Sequence, residues 1–309
     1  MLYNRTASIT IGLEGGTGRE IKSLRMAFSI EKGATKSPNT CTAKIWNLST
    51  ETRSLVEVIG NVLILKAGYV EDVGAVTIFT GNVSRSLTIR EGPDWITELE
   101  LEDGLFEFRD TKVSISFSPG ATVLQVLNDV SSRFTLPVRA FPAGINNRQY
   151  VNGFAFVGRV RDSMDKVCEF ADLEWSIQNR AVQVIKKGGI YQQQALVLSS
   201  DTGMIESPQH ESKTMTEKAA AKEGITANQP GVRITTRRDK EGTQQEVLQV
   251  LGYTVKSLLQ PKLEPGGYVQ LKTVGVKDEF FRIEKLTHTG DTHGMDWFTE
   301  LTLRYPKNV

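Results

Sequence analysis

The chain has 309 residues, 39% hydrophobic and 24% charged, enough for about two globular cores. A net charge of +1 supplies no strong field to hold nucleic acid or an acidic membrane surface. No apolar run approaches the roughly 18 residues of a membrane-spanning helix, and Met1-Leu2-Tyr3-Asn4-Arg5 lacks the apolar core of a signal peptide. Cys41 and Cys168 lie far apart, on a predicted strand and a predicted helix. They read as small buried hydrophobes in a reducing compartment, not as a disulfide framework.

In chain order, two strands are predicted at 8–13 and 24–30, joined by Gly15-Gly16-Thr17-Gly18. That glycine cluster is a turn: it lacks the Lys-Ser/Thr ending of a phosphate loop and any helix after it. Residues 39–49 predict a strand running into a short helix, with Ser49 or Thr50 as cap and Glu51 in the first turn. The apolar run Val62-Leu63-Ile64-Leu65 predicts a strand covered on both faces. Strands at 76–80, 83–89 and 95–101 complete a first β domain over 1–110.

From Thr111 the pattern changes to an α+β domain over 111–190. Ser118-Pro119 suits a helix start, and Val123, Leu124, Val126, Leu127 and Val130 follow at helical spacing. A loop rich in Pro, Gly and Asn precedes a second helix opening at Arg161-Asp162-Ser163. A hairpin about Asn179-Arg180 then joins strands at 173–178 and 181–185, giving a helix–helix–hairpin unit.

Residues 191–309 predict a second β domain. No aromatic residue occurs between Tyr191 and Tyr253. The segment 209–229 is rich in Lys, Glu, Ala and Thr and is expected to stay mobile or to order only against a partner, as part of a polar stretch reaching about 244. A hairpin is predicted about Asp239-Lys240-Glu241-Gly242, then strands at 268–273, 280–286 and 297–303.

Here one phrase returns. Asp94-Trp95-Ile96-Thr97-Glu98-Leu99-Glu100-Leu101 recurs as Asp296-Trp297-Phe298-Thr299-Glu300-Leu301-Thr302-Leu303, identical at six of eight positions. Gly68-Tyr69-Val70 and Gly267-Tyr268-Val269 precede the two copies. Period-2 alternation puts Trp95, Thr97, Leu99 and Leu101, and likewise Trp297, Thr299, Leu301 and Leu303, on one inward face. Two alternating strands share composition in any case, but six matches and a common lead favour two related β domains. The four tryptophans sit in strand patterns and read as core, with Trp297 fully buried and Trp175 partly exposed in the smaller unit.

Few residues suggest chemistry. His288 and His293, with Asp291 between and Asp296 behind, are the one dense set of ligand-type residues, but they read as a polar turn and no metal is assigned. Serine-nucleophile signatures are absent, and Glu169 with Asp172 reads as a solvated helix surface. No catalytic residue, cofactor site or metal site is assigned.

The stretch Val255-Lys256-Ser257-Leu258-Leu259-Gln260-Pro261-Lys262-Leu263-Glu264-Pro265-Gly266, followed by His288-Thr289-Gly290-Asp291-Thr292-His293-Gly294 and Asp296-Trp297, resembles phage tail baseplate hub proteins. Residues 39–53, Ala67-Gly68-Tyr69, 121–130, 163–185 and Ser200-Asp201-Thr202-Gly203-Met204-Ile205 agree with that family in order. Nothing is carried over at 209–244. The resemblance implies a mainly β fold: two tail-tube-like antiparallel β-barrel or sandwich domains flanking the α+β unit, similar to the base of type VI secretion spikes. It implies a structural virion protein, not an enzyme: a homotrimeric ring in the tail baseplate, assembled in the host cytoplasm, around a channel for DNA. The implied neighbours are the tail tube ring above and the spike or tip below, with tape measure and other baseplate proteins. No membrane insertion follows from it. The competing expectations are a cell-wall- or carbohydrate-degrading tail enzyme, which needs a positioned acid pair, and a plain tail tube subunit.

Overall fold

The computed structural model describes residues 4–72, 74–191, 194–222, 225–238, 244–273 and 276–307. The chain is mainly β. The first part holds β1 (Arg5–Gly12), β2 (Arg19–Ile21), β3 (Met26–Gly33), β4 (Thr40–Trp46), α1 (Thr50–Val56), β5 (Val62–Tyr69), β6 (Gly74–Glu91) and β7 (Asp94–Glu102). The middle holds α2 (Leu105–Arg109), β8 (Lys112–Phe117), α3 (Val123–Ser132), β9 (Phe154–Arg159), α4 (Val160–Phe170), β10 (Leu173–Ile177) and β11 (Val182–Lys186). The last part holds β12 (Ala195–Leu198), β13 (Gln209–Met215), α5 (Glu217–Lys222), β14 (Val232–Arg238), β15 (Gln244–Leu258), β16 (Tyr268–Thr273), β17 (Val276–Asp291) and β18 (Trp297–Arg304).

Local chemistry sets several of these boundaries. The Ser49 side chain accepts from the Thr52 amide at the start of α1, and Thr122 and Gln125 form a reciprocal capping box on α3. Gly15 has φ 71 in the turn between β1 and β2, a conformation that suits glycine, and a strand rather than the helix of a phosphate loop follows. In β5 the alternation is one-sided. Leu63, Leu65 and Ala67 are buried while Val62, Ile64 and Lys66 are half-exposed, so the strand is not covered on both faces. The two strands expected at 76–80 and 83–89 are one 18-residue strand, β6. Gly81 lies within it under the Phe79 ring and the Glu102 carbonyl, where a side chain would not fit.

The first and last parts repeat one topology. Strand order runs β5-β6-β7-β4-β3 in the first and β16-β17-β18-β15-β13 in the last. Opposite Leu101, β6 bulges between Val83 and Arg85. Opposite Leu303, β17 bulges between Ile283 and Lys285. A second register shift follows Leu65 in β5 and Leu271 in β16. An extra residue in a ladder re-aims every side chain beyond it, so two matched bulges are a far stricter likeness than alternation. The outer strand differs: β1 pairs β5 antiparallel, whereas β12 pairs β16 parallel. The Gly-Tyr-Val lead does not belong to the repeat. Tyr69 ends β5, whereas Tyr268 begins β16, where its counterpart by register is Val62.

The parts are continuous. β17 pairs β3, joining both into one 14-stranded sheet. Separate cores lie under the first part, the middle and the last part. The middle contains more than the expected helix–helix–hairpin: β8 pairs β9, and α2 precedes them.

Two further expectations, on Trp95 and Trp175, are corrected, and the polar segment takes regular structure. Trp95 has the parity of the inward face, yet it is 40% exposed while Thr97 and Leu99 are fully buried: it lies near the strand end, where the Arg53 guanidinium, 4.8 Å from the ring centroid, covers it instead of an apolar layer. Trp175 is buried at 2%, stacked on Phe108 and against Phe134. The polar segment from Gln209 forms β13 and α5. β13 pairs β15 along its backbone, and Met215, Ala220, Ile225 and Leu248 make a small core of their own. Backbone pairing needs no apolar composition, which is why the sequence concealed it. The expected turn at Asp239-Lys240-Glu241-Gly242 lies outside the described residues. Cys41 and Cys168 are buried, on β4 and α4 as expected.

Candidate functional site

The seam between β3 and β17 runs from Gly33 opposite Lys285 to Ala27 opposite Asp291. On one face Lys285 pairs with Glu31 at 2.7 Å. On the other, Phe28 meets Trp297 edge-on with ring centroids 5.6 Å apart. Gly290 lies between them, and a Cβ there would strike the Phe28 ring. Trp297 therefore belongs to the core of the first part, across the seam from its own strand. Arg25 closes the end of the seam on Asp291 at 2.8 Å, and its guanidinium covers Trp46 at 4.3 Å.

The two histidines at this seam are not brought together. His288 is fully buried in β17, and its Nδ1 meets Thr299 Oγ1 at 2.8 Å. Burial, and then Lys32, hold its pKa down at about 3, so the ring is neutral. His293 lies on the exposed turn beside Thr292 Oγ1 at 3.0 Å. In the first part the counterpart of the His288–Thr299 contact is Thr88 Oγ1 to Thr97 Oγ1 at 3.1 Å. His288 thus fills a structural position that hydroxyls fill elsewhere in the same chain.

A second cluster, with no local sequence signature, locks all three parts together. Asn179 and Arg180, at the turn between β10 and β11, both have positive φ, 52 and 60. This is the twist that a two-residue hairpin requires, though Asn-Gly is the common solution. Arg180 is held there by contacts to the first part. Its amide donates to Asp103 Oδ1 at 2.8 Å, its Nη1 to Asn82 Oδ1 at 2.7 Å, and its Nη2 pairs with Glu14. Asn179 Oδ1 accepts from Lys32 Nζ at 2.8 Å, and its Nδ2 donates to Glu264 Oε1 at 2.8 Å. Arg139 Nη1 donates to Glu264 Oε2 at 2.8 Å.

The electrostatics follow from burial. Burial lowers the pKa of Lys32, with Glu264 and Asp103 opposing. Burial raises Asp103 to about 6. At Glu264 burial pushes upward, but Arg139 by hydrogen bond and charge outweighs it, and the net shift is downward.

The last part has its own anchor at an equivalent point. Asn82 pairs with Val62 on β5, and Arg282 pairs with Tyr268 on β16. Asn82 holds Arg180, while Arg282, 3% exposed, pairs with Glu174 of β10. Burial pushes Glu174 up to about 7, with Arg282 opposing. Between this anchor and β13 lies a cleft of about 690 Å³, lined by Trp175, Glu174, Arg282, Arg304 and Met215 among others. Glu169 also lines it, while Asp172 stands apart, paired with Arg148 at 3.2 Å. The two carboxylates do not face each other across a cleft as an acid pair.

No protein-family model matches the sequence, and no curated protein sequence matches it. Solved structures do. A tail protein from Neisseria meningitidis superposes with a TM-score of 0.62, at 11% identity, over 98% of this chain and 97% of that one. The fold is that of phage tail proteins. The 43 kDa tail protein of prophage MuSo2 from Shewanella oneidensis gives 0.61 at 10% identity, over 98% and 99% of the two chains. An Escherichia coli type VI secretion component, itself structurally similar to the T4 tail proteins gp27 and gp5, gives 0.56 at 11% identity over 96% and 77%. The likeness implied by 255–266 and 288–297 thus extends across the whole tail-protein fold.

Proposed function

We propose that the chain is a structural tail protein acting as a baseplate hub. Three copies close into a ring that presents six similar β domains, two per chain, one over 1–110 and one over 191–309. The α+β domain over 111–190 has no second copy and marks the threefold symmetry. Such a ring adapts a hexameric tail tube to a threefold spike or tip and leaves a channel through which DNA passes. It would be a virion component of the tail baseplate, assembled in the host cytoplasm, with tape measure and other baseplate proteins as further neighbours.

The observation that carries this reading is the seam. Two modules with matched bulges are joined edge to edge through β3 and β17 rather than tethered by a linker. A heterologous contact of this kind, repeated between copies, generates a ring where its rotation closes. A plain tube subunit needs one such module per chain; here there are two, and their seam is already built. The fold neighbours support the reading by their names alone, as tail proteins and a secretion component.

The chain is proposed to have no enzymatic activity. Glu169 and Asp172, the carboxylate pair that sequence spacing offered, face different surroundings. A zymogram on cell-wall material tests this, and a clearing band at the chain's mass would favour the tail-enzyme alternative. Native mass measurement tests the ring: trimers support it, and hexamers of a closed sixfold ring would favour the tube subunit.

A further inference from the structure

The cleft of about 690 Å³ holds a pair of side chains that the fold alone does not require. Arg282 on β17 stands directly opposite Arg304 on β18, and both line the cleft. Like charges directly opposite on neighbouring strands are destabilising. In the first part the matching positions are Asn82 and Glu102, which carry no such conflict. The last part has thus exchanged an amide and a carboxylate for two guanidiniums.

Protein groups meet only part of what these arginines offer. Arg282 is 3% exposed, and its terminal nitrogens reach Glu174 and, at 3.4 Å, Glu284. Among the described residues its Nε has no partner. Gly252 stands opposite Arg304, and a Cβ there would strike the Arg304 guanidinium. The bare glycine lets Arg304 lie across β15 and reach Glu211 of β13 at 3.2 Å. Arg304 Nη1 and Glu211 Oε2 are each buried without a partner, again among the described residues. Such groups cost stability unless something bound meets them. The described lining carries six Lys and Arg side chains against four Asp and Glu, which favours an anionic group. Trp175, Met215, Val232 and Val250 put an apolar wall beside it.

We propose that this cleft binds a short acidic segment of a partner protein. A carboxylate of the segment lies against Arg282 and Arg304, and an adjoining apolar side chain lies on Trp175 and Met215. A carboxylate accepts from guanidinium forks by strong charge-assisted hydrogen bonds. A backbone amide of the same segment can donate to Glu211, which a simple anion cannot. The volume is that of a site for a ligand of a few residues. The inference goes beyond the ring and does not rest on it, because one chain builds the whole cleft.

The probe is a blocked, fluorescein-labelled Leu-Glu-Phe-Asp-Leu peptide, titrated with the full chain by fluorescence polarisation. Its twin carries Gln and Asn in place of Glu and Asp. The acidic peptide should bind about tenfold more tightly than the twin, or better. Arg304→Lys keeps the charge and loses the planar fork, and should erase that preference at the parent's unfolding midpoint. Lys36→Glu alters an exposed side chain at the rim, so folding is not at stake; it should weaken the acidic peptide and spare the twin. Two peptides that bind equally, or not at all, would overturn the proposal, as would a preference untouched by both substitutions. Inorganic phosphate that displaces the acidic peptide as effectively as unlabelled peptide does would mark a plain anion pocket and overturn it too. None of these readings depends on the number of chains in the assembly.

Discussion

Lys32 Nζ, buried at the end of β3, donates to Asn179 Oδ1 at 2.8 Å, so a turn of the middle part satisfies an amine of the first. Asn179 also donates to Glu264 of the last part at 2.8 Å, so one side chain touches all three. Asn179→Gly keeps the positive φ and removes both bonds. It should lower stability by about 1–3 kcal/mol, the usual cost of stranding buried polar partners. Urea midpoints check this; a midpoint equal to the parent's would mean that the junction contributes nothing.

Acid should act at two buried groups with opposite signs. His288 is held at about 3 against an ordinary 6.5. A lowered value means that protonation favours the unfolded chain. The contribution of His288 is complete above pH 6.5 and is lost as pH falls from 6.5 towards 3. Asp103 is raised from 3.8 to about 6, so its buried charge costs stability increasingly as pH rises across that range. His288→Thr, copying Thr88 of the repeat, should lose less stability between pH 7 and pH 4 than the parent does. Denaturation midpoints across that range decide it, and an unchanged slope would remove His288 from the account.

Tryptophan truncations should divide by burial. Trp175 stacks on Phe108 at 5.5 Å and donates from Nε1 to Asp165 at 2.7 Å. Trp297 packs on Phe28 across the seam. Each should cost about 3–5 kcal/mol on truncation to Ala. This replaces the expectation from sequence that Trp297 outweighs Trp175. Thermal or urea unfolding of the two variants checks it, with near-parent stability of either as the contrary result.

Gly290→Ala places a methyl against the Phe28 ring. Overpacking there should cost about 1–3 kcal/mol. The loss should fall when Phe28 is also shortened to Leu, because the clash is then relieved. A double-mutant cycle measures that coupling, and strict additivity would contradict the packing described.

The sequence disclosed what short-range chemistry controls. Alternation marked β7 and β18, Ser49 marked the start of α1, and Asn179-Arg180 marked its hairpin. The repeat was legible because six side chains match, but its strongest support, the bulges opposite Leu101 and Leu303, is a backbone property with no residue signature. The seam was hidden because Glu31 and Lys285 pair across 254 positions. Lys32 has no local mark of burial, because its cover comes from Asn179, far along the chain. Trp95 had inward parity but the Arg53 guanidinium over its ring in place of an apolar layer, which alternation within one strand cannot reveal. Nothing in the sequence of β13 separated a paired polar strand from a mobile one.

The most direct measurement is a set of rotational averages of negatively stained rings, combined with the native mass of the same particles. Three chains per ring are expected, with a lumen of six similar lobes and threefold features where the α+β part protrudes. Rings of six chains, or closed particles lacking the six-lobed repeat, would contradict the claim that one chain carries two equivalent modules of a tube.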